Sequence, residues 1–286
     1  MQLLSYVNGE YPNSTDAKIS ILDRGFLFAD GVYEVCTVLQ GKLIDNTRHL
    51  ARLRRSLNEL SISLDLSDAD ITGIQQHLIQ HNQLQEGMIY LQVTRGSDAQ
   101  RSFEYPKNPE SSLVMFTQTM NIIDNPVADR GISIITVDDV RWARCDIKTV
   151  SLLAASMAKM AAKKQNADDA WFVEDGLVTE GSSNNAYIVT NDNTIITRHL
   201  GTEILGGITR QAVIEIAEKE GLSIEQRAFS VEEAGQAREA FSSSATATIM
   251  PVIKINDKVI GSGKPGPITT MLRKQYLKLA LSNQYS

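Results

Sequence analysis

Between residues 121 and 131 the chain reads NIIDNPVADRG, with Asn, Asp, Pro and Gly but no apolar period. This stretch separates two differently patterned parts. Ahead of it, MIYLQVTR at 88–95 and SLVMFTQT at 112–119 have the composition of strands. TRHLARLRRSLNEL at 47–60 puts Leu50, Leu53, Leu57 and Leu60 at helical spacing. A second helix is predicted over 67–82, where Ser67 and Asp70 form a capping box and Ile71, Ile74 and Leu78 share one face. Residues 1–120 therefore read as a small α+β domain. Beyond the break lie strand candidates at 132–137, 170–174, 186–190, 194–198 and 249–255. Helices are predicted over SLLAASMAKMAAKK, just after Lys148, and over ITRQAVIEIAEKEGL, where Gly221 supplies the C-terminal cap. Residues 132–286 read as a larger α/β domain, with 121–131 as the linker. A length of 286 residues suits two domains of ordinary size.

Net charge is −6 with acidic and basic residues interspersed, which argues against nucleic acid as a partner. Of the cluster Arg48, Arg52, Arg54 and Arg55, the last two read as a solvated helix face. No apolar run reaches the roughly 18–20 residues of a membrane span, and MQLLSYVNGEYP has no signal-peptide character. Cys36 and Cys145 imply neither a disulfide framework nor a zinc cluster, and the expected compartment is the cytoplasm. His49, His77, His81 and His199 lack metal-ligand spacing. No metal is expected, and the four read as surface or packing residues.

Four segments could carry chemistry. Lys148 stands at a corner where an extended stretch meets a helix, and a lysine amine of lowered pKa can condense with a carbonyl. Glu180, in VTEGSSNN, could as a carboxylate keep a pyridine nitrogen protonated, or belong to a plain polar turn. LGGITRQAV at 205–213 leads glycines into a helix start at Thr209. Such a terminus offers free N–H groups and a dipole to a phosphate, or is a capped glycine turn. SSSATATIMP at 242–251 gathers small hydroxylated residues ahead of a strand, as a phosphate loop or an ordinary loop would.

Order and spacing add to these. YVNGEY (6–11), DRGFLFADGVYEV (23–35), HLARL (49–53), YLQVTRG (90–96), RWARCDIKTVSLL (141–153), VTEGSSNNAY (178–187) and GGITR (206–210) run through nearly the whole chain. In these motifs the sequence resembles the fold-type IV pyridoxal-phosphate enzymes: D-amino acid aminotransferases, branched-chain aminotransferases and aminodeoxychorismate lyases. DGVYEV, RCDIKTVSLL and TEGSSN are most similar to the first branch. The resemblance implies an α/β fold with a small N-terminal domain and a larger pseudo-barrel C-terminal domain. It also implies a homodimer with pyridoxal 5′-phosphate held between domains near the subunit interface. Lys148 would anchor the cofactor and shuttle the proton, and Glu180 would pair with its ring nitrogen. Arg52, Ile208, Thr209, Ser244 and Thr246 would bind its phosphate. Tyr33 would lie by the substrate, and Arg101 would take the substrate carboxylate from a neighbouring subunit's loop. Arg24, Arg141 and Arg144 are lesser candidates for that role. Two departures stand out. Phe103 occupies the place of an expected histidine in a loop one residue longer, and Ala245 that of a phosphate-binding threonine. The implied reaction is ping-pong transamination between D-amino acids such as D-alanine and 2-oxo acids such as 2-oxoglutarate. Branched-chain L-amino acid or (R)-amine transamination, and aminodeoxychorismate lysis, are the alternatives.

Overall fold

A computed structural model describes residues 2–282, so the last four residues of the expected second domain lie outside it. The chain divides into two compact units. The first takes the residues up to Asn121, with Ile147–Ser151 and the chain from Ala280. The second takes Ile122–Asp146 and Leu152–Leu279.

In the first unit the elements are β1 (Tyr6–Val7), α1 (Arg24–Phe28), β2 (Gly31–Leu39), β3 (Lys42–Leu43), α2 (Asn46–Glu59), α3 (Asp68–His81), β4 (Glu86–Thr94) and β5 (Ser112–Thr119). The strands form an antiparallel sheet in the order β1-β5-β4-β2-β3. β4 alternates as the pleat requires: Ile89, Leu91 and Val93 are buried, while Met88, Tyr90 and Gln92 are half-buried on the other face. Leu50, Leu53 and Leu57 of α2, with Ile71 and Leu78 of α3, pack into the core those strands build. The capping box at Ser67 and Asp70 forms with both of its hydrogen bonds.

The segment Ile147–Ser151 follows the linker in sequence but is stitched to β2. Tyr33 N–H donates to Lys148 O (3.0 Å), Val150 N–H donates to Gly31 O (3.1 Å), and Thr149 bridges Val32. Ile147 enters the first core. Lys148 thus belongs to the first unit. The residues before it are bends and turns instead of the expected extended stretch, because Arg141, Arg144 and Cys145 bond to near neighbours there. The helix after it begins only at Leu153.

In the second unit come α4 (Pro126–Arg130), β6 (Ile132–Asp138), α5 (Leu153–Lys164), β7 (Asp169–Glu174), β8 (Leu177–Gly181), β9 (Asn185–Val189), β10 (Ile195–Thr197) and α6 (Ile208–Lys219). They are followed by β11 (Ile224–Gln226), α7 (Val231–Gln236), β12 (Glu239–Ser244), β13 (Thr248–Ile255), β14 (Lys258–Val259) and α8 (Pro267–Leu281). Eight strands form one mixed sheet in the order β11-β10-β9-β12-β13-β6-β7-β8, with β14 paired to β13. α6 closes as its sequence suggests. Gly221 takes φ +71°, and the N–H groups of Gly221 and Leu222 return to Glu218 O and Ala217 O. No helix among the described residues is long and apolar enough to cross a membrane.

Candidate functional site

In the first unit, strand pleat decides what surrounds Lys148. Tyr33 and Glu34 are neighbours on β2 and point to opposite faces. Tyr33 lies under Lys148, whose Nζ stands 4.0 Å from the ring centroid. The ring also stacks on Tyr90, which stacks on Phe116, so an aromatic row lines this face of the sheet. Glu34 points toward α2 and is only 3% exposed. Arg52 grips it with two parallel bonds, Nε to Oε1 and Nη2 to Oε2, each 2.8 Å. His49, one helical turn earlier, places Nδ1 2.8 Å from Oε2. Burial by itself would raise the Glu34 carboxyl, but Arg52 and His49 outweigh it and hold it well below the ordinary carboxylate range. His49 is pushed the other way. Burial disfavours its charged form more than Glu34 favours it, so its pKa falls below the ordinary 6.5.

That shift has a measurable consequence. A histidine whose folded pKa is depressed resists protonation in the folded chain only. Its contribution is intact above 6.5 and is lost as pH falls from there toward the folded value. His49→Gln is therefore expected to flatten the loss of stability between neutral pH and pH 5, by up to about 1.4 kcal/mol per pH unit. Thermal melts of the two proteins across that range check it. Parallel curves would show that His49 takes up its proton as easily folded as unfolded.

In the second unit, Glu180 sits near the end of β8 and is 6% exposed. Its Oε1 accepts from Arg141 Nη1 at 2.5 Å, and its Oε2 accepts from Asn185 Nδ2 and from Leu205 N–H, both at 3.1 Å. Arg141 is itself held by Asp139 through Nε and Nη2 at 2.9 and 2.7 Å, and its guanidinium lies 4.5 Å from the Phe172 ring centroid. Burial opposes the charge on Asp139, yet the Arg141 pairing prevails and keeps that carboxyl low. The rest of the TEGSSNN turn is structural. Ser182 and Asn184 both donate to the buried Asp169, at 2.6 and 2.9 Å.

Asn185 joins this carboxylate to the glycine turn, since its Nδ2 also reaches Leu205 O at 2.9 Å. A Cβ on Gly207 would stand 2.2 Å from Asn185 Oδ1, so any larger residue where the turn enters α6 would displace Asn185. Gly207 is the N-cap, without a side chain to engage the first-turn N–H groups, and Ile208 and Thr209 are buried there. In the neighbouring strand pair, Ser243 of β12 lies opposite Asn185. The serine run is strand, not the expected loop ahead of one. Ser242 accepts from Trp171 Nε1 at 3.0 Å, and Ser243 pairs with the Tyr187 hydroxyl at 2.8 Å. Ser244 ends β12 and accepts from Ala247 N–H at 3.2 Å, while Thr246 is half-buried in the turn that follows.

The structure thus brings Lys148 and Tyr33 together in the first unit, with Arg52 bound to Glu34, the neighbour of Tyr33 that points to the other face of β2. It brings Glu180, Ile208 and Thr209 together in the second, with Ser244 and Thr246 at the adjacent hairpin. Arg101 stands apart from the Lys148 group, on the exposed loop before β5. Its guanidinium lies 4.9 Å from the Phe28 centroid and 5.1 Å from that of Phe103. Glu34, Asn185 and Asp139 are supports that sequence reasoning does not single out, and Arg141, a lesser candidate for the substrate carboxylate, is bound instead to Asp139 and Glu180. The only trace of these supports is the three-residue spacing of His49 and Arg52 and the second Asn of SSNN.

Known proteins resemble this chain over nearly its whole length. Residues 31–255 match the family described as amino-transferase class IV. A D-alanine aminotransferase of Bacillus licheniformis is 40% identical over 264 residues, covering 92% of each chain. One of Staphylococcus aureus (strain MSSA476) is 38% identical over 276 residues, 96% of each. Among solved structures, a branched-chain amino acid aminotransferase from Escherichia coli superposes with TM-score 0.87 at 20% identity, covering 98% of this chain and 95% of that one. A second enzyme of that name, from T.th. and solved with pyridoxamine 5′-phosphate, gives 0.90 at 23%, covering 100% and 97%. At that identity the likeness establishes the fold, which is that of the fold-type IV aminotransferases. The match over residues 31–255 and the full-length relatives go further: the chain is an enzyme of the class IV aminotransferase family.

Proposed function

We propose that this protein transfers the amino group of D-amino acids, D-alanine foremost, to 2-oxo acids such as 2-oxoglutarate with pyridoxal 5′-phosphate as cofactor. The observation that carries this reading is identity of 36–40% with D-alanine aminotransferases over more than nine-tenths of both chains. The branched-chain enzymes share the fold at lower identity, so their substrate preference is the less favoured reading.

The residues suit the cofactor. A primary amine over an aromatic ring, a fixed carboxylate, a guanidinium and a helix start with no capping side chain are the partners that its aldehyde, ring nitrogen and phosphate require. When bound, the cofactor condenses with amines and takes up the electron pair left when Cα loses its proton. Lys148 would anchor it, and its amine would then carry the Cα proton between the two halves of the transfer. Tyr33, whose ring centroid lies 4.0 Å from that amine, would lie by the substrate. Glu180 keeps a proton at the ring nitrogen, with its orientation set by Asn185 and Leu205 N–H. Arg52, the N–H groups of Ile208 and Thr209, and the Ser244 and Thr246 hydroxyls would each serve the phosphate. Arg101 binds the substrate carboxylate. Because the donor leaves as its oxo acid before the acceptor oxo acid enters, the kinetics are ping-pong.

The reading extends to a cytoplasmic homodimer in which Arg101 serves the partner's substrate. The free thiols of Cys36 and Cys145 fit a reducing compartment. The exposed Phe103 ring beside Arg101, at 78% exposure, fits a protein surface.

Pyruvate release from D-alanine with 2-oxoglutarate as acceptor tests the function. The expected kcat/KM exceeds that for L-leucine by at least about 100-fold. A preference for L-leucine would transfer the enzyme to the branched-chain reading. Release of pyruvate and an aromatic amine from aminodeoxychorismate without any acceptor would make it a lyase.

A further inference from the structure

We infer that Arg24, Asp30 and Arg95 form a buried clamp that sets the position of Arg101, and so act as positioning residues for the substrate carboxylate. This rests on the reading of Arg101 as the carboxylate-binding arginine.

Asp30 serves two guanidiniums at once. Its Oδ2 accepts from Arg24 Nε at 2.7 Å and from Arg95 Nε at 2.8 Å, and its Oδ1 accepts from Arg95 Nη2 at 3.0 Å. Arg24 and Arg95 are 4% and 2% exposed, which is unusual for arginine. Burial opposes the Asp30 charge, but the two guanidiniums prevail and hold its carboxyl low. With a single carboxylate between them, the remaining donors go to main-chain carbonyls. Arg24 Nη1 donates to Ser102 O at 2.6 Å and to Glu104 O at 3.3 Å, and Nη2 to Phe103 O at 3.5 Å. Arg95 donates to Leu60 O and Ser61 O at 2.7 and 2.9 Å, and its guanidinium lies 3.6 Å from the Tyr105 ring centroid. The residues immediately after Arg101 are thus gripped from inside, at three successive carbonyls and one ring.

The manner of gripping distinguishes a positioning device from ordinary loop packing. An irregular loop is normally held by burying its own apolar side chains, but here Phe103 and Tyr105 are 78% and 60% exposed. Buried charges are a poor source of stability, because desolvation offsets their attraction, but they enforce one geometry. A free arginine gives up much rotamer freedom when it is fixed on a ligand. Here the backbone is fixed by Arg24 and the guanidinium rests on the Phe28 and Phe103 rings, so much of that ordering precedes binding. Phe103, where relatives of the D-amino acid type are expected to carry histidine, contributes a surface for Arg101 in place of a second donor.

The test is a double-mutant cycle on the cofactor-loaded enzyme. Tyr105→Ala removes the exposed half of the clamp and leaves the buried charges intact, so folding is not at risk. Arg24→Lys keeps the charge beside Asp30 but loses the fork to the carbonyls. Tyr105→Ala is expected to raise KM for D-alanine about fivefold with kcat within about twofold, and to have no further effect when Arg101 is already alanine. Arg24→Lys, where it folds, should repeat the pattern with a larger rise. An unchanged KM in Tyr105→Ala, or an equal rise in both backgrounds, overturns the clamp even if Arg101→Ala itself raises KM. An Arg101→Ala enzyme with the KM of wild type overturns the carboxylate reading, and the clamp falls with it.

Discussion

Lys148→Ala is expected to lower turnover of D-alanine by about ten-thousand-fold and to abolish the visible absorption of the lysine-linked cofactor. The main chain at this position is fixed by groups that alanine retains. Its carbonyl accepts from Tyr33 N–H, its N–H donates to Ser56 Oγ at 3.4 Å, and Thr149 next to it bridges Val32. What the substitution removes is the amine above the Tyr33 ring. Loss of activity with an unaltered melting profile would therefore report chemistry and not collapse. The effect is large because one group does two things, holding the cofactor and moving the Cα proton. Ethylamine supplied in solution should restore part of the rate, since it can move the proton without being tethered. An alanine variant that keeps more than about a tenth of wild-type turnover would place both duties elsewhere.

Glu180→Gln comes next, with kcat expected to fall about 100- to 1,000-fold while the cofactor stays bound. Glutamine has the shape to keep accepting from Leu205 N–H, but it carries no negative charge with which to keep a proton on a ring nitrogen. The Arg141 guanidinium loses one acceptor at 2.5 Å yet remains fastened to Asp139 by two bonds, so the substitution does not strand an unpaired buried cation. Stability is expected to change little for the same reason. Glu180→Asp separates charge from reach: the charge returns, but one methylene shorter, and the contacts from Asn185 and Leu205 cannot all be kept. A glutamine variant with full kcat would mean that the ring needs no protonated nitrogen here.

Half-exposed helices announce themselves. α2, α3 and α6 each bury one face, and the period of 3.6 survives in Leu50–Leu53–Leu57 and in the capping box at Ser67. β4 shows the alternation of a strand with one face in the core. β12 does not, because it is buried on both faces, and three serines in a row read as loop. Their hydroxyls are tolerated inside because Trp171 and Tyr187 pair with two of them. Motif order names Lys148, Glu180, Arg52 and the GITR turn, but a motif is blind to contacts between distant positions. That Lys148 is sewn to β2, and that Glu34 is the anchor for both His49 and Arg52, emerges only when the sheet is folded. The same holds for Arg24, which in the sequence is one spare arginine among several and in the fold has its donors on Asp30 and the 102–104 carbonyls.

The most direct measurement is to reduce the cofactor-loaded enzyme with borohydride, digest it, and map the phosphopyridoxyl group by mass spectrometry. The modification is expected on the peptide that contains Lys148 and nowhere else, with D-alanine added before reduction protecting that lysine. Modification of a different lysine, or a protein saturated with pyridoxal phosphate that takes up none, would contradict the assignment of Lys148 as the cofactor's anchor.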